Sequence, residues 1–347
     1  MILIYGVTGY TGQLVLDECV AQGARPVIAG RDAVAVRALA ERHGVEGRVA
    51  SLDDAAALDR ALAGMRVVIH CAGPFSRTAR AMADACLRNR VHYLDITGEI
   101  AVFESMAARD AEARAAGVML LPGAGFDVVP SDCLAAHLKR RMPEAASLAL
   151  AFHGGTGLSR GTAITMAENA GGPGAVRRGG RIVTVPPAHH TRPIDFGDKV
   201  RLAATIPWGD VSTAYYSTGI PDIEVYTAMS RSTVRAMRLS QYLAPILRIG
   251  WVRRRLVAAI RRRPAGPSAD ARARASARLW GEATDGAGRT FVSRLRTPDG
   301  YSLTAKTAVL AALAVCAGRV VPGFQTPSRA FGADFILEVP GCTRTDD

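Results

Sequence analysis

The stretch Met1-Ile2-Leu3-Ile4-Tyr5-Gly6-Val7-Thr8-Gly9-Tyr10-Thr11-Gly12 decides the fold. Four apolar residues run directly into glycines at 6, 9 and 12, which reads as a buried parallel strand, a turn, and a helix starting near Thr11 and carrying Leu14, Val15 and Leu16. Such a turn suits an anion, because bare glycine backbone admits a phosphate and the free N–H groups of the helix point at it. A dinucleotide pyrophosphate is the natural guest. The spacing G-x-x-G-x-x-G is a variant of G-x-G-x-x-G and is weak alone, so its context carries the reading. It sits between a strand and a helix, in a βαβ unit closed by Pro26-Val27-Ile28-Ala29-Gly30. The competing reading is a tight turn without a ligand.

Outward from this unit the alternation continues. A helix over Asp32–Arg42, a short strand Arg48–Ala50, a helix Asp54–Ala63 and a buried strand Arg66–Cys71 follow, the last ending in Ala72-Gly73-Pro74-Phe75. Helix Thr78–Asn89, strand Val91–Asp95, helix Glu99–Ala115 and strand Val118–Leu121 complete six strands of a Rossmann doubly wound parallel sheet. Arg31 lies where the second strand ends. An acidic residue there holds the ribose 2′-hydroxyl of NAD, whereas an Arg favours the 2′-phosphate of NADP. NADP(H) is therefore the expected cofactor, and an Asp32 that reached the ribose rather than capping the next helix would reverse that. The expected cofactor-binding set is Gly6, Thr8, Gly9, Tyr10, Thr11, Gly12, Arg31, Ser51 after the third strand, and Cys71, Ala72, Gly73 and Pro74 at the nicotinamide loop. His70 precedes that loop and reads as a strand residue.

Composition sets the outer bounds. A chain of 347 residues with 49% hydrophobic content suits two domains with real cores. Met1 leads straight into a strand, and no apolar run reaches the roughly 20 residues of a bilayer span, so a cytoplasmic location is expected. Cysteines 19, 71, 86, 133, 316 and 342 form no C-x-x-C pair and imply neither zinc nor disulfides. Adjacent His189 and His190 have no carboxylate or Cys at ligand spacing, so no metal is expected. The formal charge of +12 comes almost wholly from scattered Arg and fits no nucleic-acid motif.

The motifs Gly-Val-Thr-Gly-Tyr-Thr-Gly at 6–12, Ala-Gly-Arg-Asp at 29–32, Ala-Gly-Pro-Phe at 72–75, Tyr-Leu-Asp-Ile-Thr-Gly-Glu at 93–99 and Gly-Phe-Asp-Val-Val-Pro-Ser-Asp at 125–132 together resemble the saccharopine dehydrogenase-like oxidoreductases. That group includes saccharopine reductases and trans-acting enoyl reductases. The resemblance is strongest in the N-terminal third and extends to 207–221 and 326–328. It implies an NADP(H)-dependent oxidoreductase acting on a C=N or C=C bond, with fold and cofactor transferring better than substrate. None of the Tyr residues has Lys four positions on, which argues against a short-chain dehydrogenase.

Beyond Ser131 the alternation stops. Strand patterns at Leu148–Phe152, Lys199–Thr205, Ile223–Ala228, Ala277–Ala283 and Thr290–Arg296 predict a second α+β domain with a mostly antiparallel sheet, as the resemblance also implies. Helices are expected over Ser131–Met142, Gly161–Asn169 and Thr304–Ala317, and the glycine-rich 171–180 reads as a loop over a cleft. The expected division is 1–130 for cofactor, 131–304 for substrate and oligomerisation, and 305–347 returning to the first domain. The basic, apolar segment Met237–Arg263 reads in three ways: helices packed on the sheet with Arg facing water, a contact in a homodimer, or a peripheral membrane surface.

For the chemistry, Asp127 follows the sixth strand on the nicotinamide side and is a candidate to orient substrate or relay a proton. Its alternative is a loop carboxylate capping the following helix, for which Ser131 or Asp132 is better placed. Tyr215 is a candidate donor from the second domain, although paired aromatics such as Tyr215 and Tyr216 also serve packing. The expected substrate is a small molecule or a lipid or polyketide chain; the reading from another class is a non-catalytic NADP-binding sensor or scaffold.

Overall fold

The structure is a computed structural model that describes residues 1–155, 157–168, 171–247 and 250–347. Contacts divide the chain into two units, Met1–Val129 with Gly300–Val339, and Pro130–Asp299 with Pro340–Asp347.

The first unit opens β1 (Ile2–Tyr5), α1 (Tyr10–Ala21), β2 (Val27–Gly30), α2 (Ala33–His43), β3 (Gly47–Val49), α3 (Ala55–Leu62), β4 (Val67–His70), α4 (Phe75–Asn89), β5 (His92–Asp95), α5 (Ile100–Ala107), α6 (Asp110–Ala116) and β6 (Met119–Leu121). β1, β2, β4, β5 and β6 are buried along their whole length, which is why they read as unbroken apolar runs rather than alternating ones. The helix expected over Glu99–Ala115 is two helices. Arg109 leaves helical geometry (φ −98°, ψ 11°), and Asp110 then accepts a hydrogen bond from Phe324 N at 2.8 Å.

The second unit contains α7 (Val129–Arg141, which starts at the boundary), β7 (Ala145–Gly154), α8 (Arg160–Glu168), β8 (Gly174–Arg178), β9 (Arg181–Val185), β10 (Thr191–Asp195), β11 (Val200–Thr205), α9 (Asp210–Thr218), β12 (Asp222–Ala228), α10 (Arg231–Leu247), α11 (Gly250–Arg261), α12 (Ala269–Arg274), β13 (Ser276–Asp285) and β14 (Thr290–Pro298). Asn169, the expected last residue of the helix at 161–169, lies outside the described residues, as do Arg248 and Ile249 of the 237–263 segment. The chain then supplies α13 (Gly300–Cys316), β15 (Gly323–Phe324) and α14 (Pro327–Phe331) to the first unit, and β16 (Thr343–Asp346) to the second.

The first sheet has order β15-β6-β5-β4-β1-β2-β3, all parallel, so the order reverses between β1 and β4. That reversal places a crevice beyond the carboxyl ends of those two strands. The second sheet has order β10-β11-β12-β7-β13-β14-β16, with β8 beside β12 and β9 beside β8. Its pairings are antiparallel except β7 with β12.

Two sequence expectations change here. The glycine-rich 171–180 is no free loop: Gly174–Arg178 is a strand, and Gly179 and Gly180, both at positive φ, make the two-residue turn into β9. The tail also divides, because β16 pairs with β14 of the second sheet instead of packing with 305–339.

In the second unit the helix–sheet contact leaves no room at Gly281 of β13, where a Cβ would lie 2.6 Å from Leu138 Cδ1 and 3.2 Å from Leu134 Cδ2 of α7. Gly281→Val is therefore expected to lower stability by about 1–3 kcal/mol through overpacking. A denaturant midpoint equal to that of the wild type would refute this contact.

Candidate functional site

The carboxyl edge of the first sheet is assembled by backbone contacts too close for side chains. Gly6 takes φ +84°, and a Cβ on it would lie 2.8 Å from both Cβ and N of Ala72. Cys71 N donates to Tyr5 O at 2.8 Å, and Gly6 N to Ala29 O at 2.8 Å, so the ends of β1, β2 and β4 are tied together at one point. Gly12 carries the same constraint inside α1, where a Cβ would sit 2.4 Å from Gly6 O. Both glycines are thus required by the turn itself.

The structure brings Gly6, Thr8, Gly9, Tyr10, Thr11, Gly12, Arg31, Ser51, Cys71, Ala72, Gly73 and Pro74 to the carboxyl ends of β1 to β4. Thr8 and Gly9 are exposed, and Gln13 Nε2 donates to Thr8 O at 3.3 Å. The Tyr10 ring stands edge-on to Tyr301 of α13, with centroids 5.3 Å apart. Asp32 does not reach outward: its Oδ1 accepts from Val34 N and Ala35 N at 3.1 and 3.0 Å and caps α2. Arg31, beside it, is exposed and makes no hydrogen bond or ion pair among the described residues. Ser51 sits next to Ala50, whose carbonyl accepts from Tyr5 Oη at 3.0 Å. Burial pushes the Cys71 thiol far above its usual range, so that side chain is inert packing.

The helix starts along this edge are not alike. Asp32 caps α2, Asp54 accepts from Ala57 N at 2.9 Å to cap α3, and Glu99 accepts from Phe75 N and Ser76 N at 2.8 and 3.1 Å at the start of α4. Like α5, α1 has no side-chain cap and no acidic residue in its first turn. Its N-terminal dipole is therefore left for an anion, and a dinucleotide pyrophosphate fits it while Arg31 supplies a guanidinium for a further phosphate.

Sequence reasoning assigned no role to Asp95, Thr97 or Glu99. Buried Asp95 accepts from Tyr93 Oη at 2.6 Å, Thr97 N at 2.9 Å and Gly123 N at 2.9 Å, and Glu99 N donates to Thr97 Oγ1 at 3.1 Å. The two-residue steps Asp95 to Thr97 to Glu99 are a readable turn pattern. The partners at Gly123 and Phe75 are not readable locally.

Asp127 lies in the loop after β6. A Cβ on Gly98 would be 2.8 Å from Asp127 Oδ2, so the carboxyl is packed on that glycine, and it makes no hydrogen bond or ion pair among the described residues. Desolvation pushes it up to about 7. Asp127 does not cap α7, which begins at Val129. His70 is fully buried, its Nε2 3.2 Å from Thr78 Oγ1, and burial lowers it to about 3, so it stays neutral in the core.

Tyr215 belongs to the second unit. It lies in α9 with the Arg177 guanidinium 4.3 Å from its ring centroid and Gly180 against its edge, an arrangement of packing. His189 and His190 stack at 4.0 Å, and His190 Nδ1 is 2.8 Å from Glu224 Oε1.

The raised Asp127 carboxyl has a measurable sign. The folded chain keeps this proton to about pH 7, while the unfolded chain releases it near the ordinary 3.8, so wild-type stability falls as pH rises through that window. Asp127→Asn cannot ionise, and its stability relative to wild type is expected to grow between about pH 4 and 8 by about 2–4 kcal/mol. Thermal melts showing a pH-independent difference would contradict a desolvated Asp127 carboxyl.

Comparison with known proteins agrees with this geometry. Residues 2–121 match the family model "Saccharopine dehydrogenase NADP binding domain". A trans-acting enoyl reductase from Mycobacterium leprae is 30% identical over 151 residues, covering 41% of this chain and 36% of that protein. A human saccharopine dehydrogenase-like oxidoreductase is 26% identical over 161 residues, with coverage of 41% and 38%. The matched region thus spans little more than a third of these relatives' length. Among solved structures, saccharopine dehydrogenase (L-Glu forming) from Saccharomyces cerevisiae shares the fold across 100% of this chain and 99% of its own, with TM-score 0.69 and 14% identity. Homospermidine synthase from Legionella pneumophila, in complex with NAD, aligns over 99% and 91% with TM-score 0.66 and 9% identity. Residues 2–121, which hold the Gly6–Gly12 turn, the Arg31 strand end and β1 to β6 of the parallel sheet, are thus similar to the saccharopine dehydrogenase NADP-binding domain.

Proposed function

We propose that the protein is an NADP(H)-dependent oxidoreductase that reduces a C=N or C=C bond. The observation that carries the catalytic part is Asp127, a carboxyl beyond the carboxyl ends of β5 and β6 that is packed on Gly98, makes no hydrogen bond or ion pair among the described residues, and is pushed up to about 7 by desolvation. Bound NADPH would supply a hydride to one carbon of the double bond. Asp127 Oδ donates its proton to the neighbouring atom, and solvent returns that proton between turnovers. Arg31 binds the 2′-phosphate, the bare start of α1 takes the pyrophosphate, and Cys71–Pro74 line the nicotinamide end. Tyr215, in its cation–π stack, is given no proton-transfer role in this reading.

The trans-acting enoyl reductases among the relatives support an enoyl substrate, and we favour an enoyl thioester on a lipid or polyketide chain over an imine. In a turnover screen with both classes, Asp127→Asn is expected to lower kcat by about 10²–10³-fold with NADPH binding retained. Arg31→Ala is expected to weaken NADPH in calorimetry at least about tenfold while leaving NADH unchanged. Equal binding of the two cofactors by wild type would remove the NADP assignment. Binding without turnover on either substrate class would leave the non-catalytic sensor.

We also propose that α10 and α11 contact an anionic membrane surface. Residues 225–269 carry ten Arg and no Asp or Glu. Arg231, Arg235, Leu239 and Tyr242 share one face of α10, with Leu239 61% and Tyr242 74% exposed, while Val234, about a quarter turn away, packs on Ala188 and Ala204. Trp251 on α11 is 57% exposed, with the Arg255 guanidinium 5.8 Å from its ring. Exposed aromatics among cations suit a headgroup boundary better than packing with Arg alone facing water. No described helix is long and apolar enough to cross a membrane. Flotation with phosphatidylglycerol vesicles is expected to recover the protein, and Leu239→Ser with Tyr242→Ser to abolish recovery. Dimerisation that depends on these residues, without vesicle binding, would assign the face to a second copy instead.

A further inference from the structure

We infer that Glu99 is a positioning residue that holds the β4–α4 loop in place for the nicotinamide end of the cofactor. The inference rests on the NADP(H) reading above. α4 begins at Phe75, immediately after Cys71–Pro74, and its N-cap is Pro74, which has no side-chain acceptor to offer. The first N–H groups of a helix must find acceptors, and here none is local. Glu99, from the loop after β5, fills the place with both carboxylate oxygens: Oε1 accepts from Phe75 N at 2.8 Å and Oε2 from Ser76 N at 3.1 Å. These are charge-assisted bonds to a helix start, the strongest form of capping available.

Glu99 is itself fixed from the core. Its N–H is held by Thr97 Oγ1 at 3.1 Å, Thr97 N by Asp95 Oδ1 at 2.9 Å, and Asp95 is buried between Tyr93 Oη and Gly123 N. A chain of hydrogen bonds therefore runs from the end of β5 to the first turn of α4, and the loop it pins presses Ala72 against Gly6. The same carboxylate neutralises the start of α4 and repels phosphate. Phosphate is thereby directed to the start of α1, and the β4–α4 loop is left for the uncharged or cationic ring.

The role predicts a split between the two ends of the cofactor. Calorimetric titrations of the full chain with NADPH and with adenosine 2′,5′-bisphosphate, which has the Arg31-side phosphate but no nicotinamide, read the two ends separately. Glu99→Gln, which keeps the side-chain size, and Glu99→Ala are each expected to weaken NADPH about tenfold, as for loss of a charged hydrogen bond, and to change the bisphosphate by less than about twofold. Glu99→Asp, one methylene shorter but still charged, is expected to recover part of the loss. Equal weakening of both ligands would show general damage to the domain and overturn the positioning role, as would unchanged NADPH affinity in both variants. If wild type binds neither ligand, the NADP(H) reading itself fails and the inference falls with it. Wild-type binding of both separates that failure from a failure of the Glu99 role.

Discussion

Backbone against backbone, with no space for a side chain, is the constraint on which the N-terminal unit depends. At the point where the strand order reverses, Gly6 meets Ala72 and Gly12 meets Gly6, so the ends of β1, β2 and β4 and the start of α1 lie within contact of one another. The contact creates the crevice and its polarity together. It leaves peptide N–H groups at the mouth of α1, with no side chain at Gly6, Gly9 or Gly12 to cover them.

The treatment of the neighbouring helix starts gives this crevice its selectivity. Three helices on the same edge are capped at their starts by Asp32, Asp54 and Glu99, whereas α1 and α5 have no side-chain cap. Negative charge is thereby welcome at α1 and at Arg31 and unwelcome at α4. Asp127 obeys a different rule: no donor satisfies it among the described residues, so desolvation and not hydrogen bonding governs its proton. Asp95 shows the contrast, since three donors converge on it and hold it only to about 6 despite complete burial. Two carboxyls in one unit are thus set apart by their surroundings, one held by three donors and one governed by desolvation.

The second unit is organised by sheet packing. β13 and β7 form its centre, α7 lies on Gly281, and Tyr226, Trp280, Phe196 and Ile194 form a core cluster. Arg192 spans this region, paired with Glu282 at 2.8 Å and 4.9 Å from the Trp280 ring centroid. Tyr215 is absorbed into the same logic through Arg177, whose guanidinium also donates to Val211 O and Gly180 O. A tyrosine whose ring supports a buried cation is held by packing.

The parallel sheet, its order of elements and the anion-ready turn were legible because they are local. An apolar run of four residues followed by glycines has few other uses, and Arg31 is marked by its place at a strand end. The hairpin at Gly179-Gly180 was equally local, a two-glycine turn between extended segments, but the surrounding glycines made it read as a loop. What only the tertiary structure decided depends on residues distant in sequence. Glu99 reaches Phe75 across 24 positions, β16 returns to β14, and Asp127 is pushed up by the desolvation that packing on Gly98 brings. Sequence by itself determines periodicity, chain punctuation and residue chemistry, since these follow from neighbours along the chain. Hydrogen-bond partners and desolvation are properties of what folding brings near, and no spacing rule encodes them.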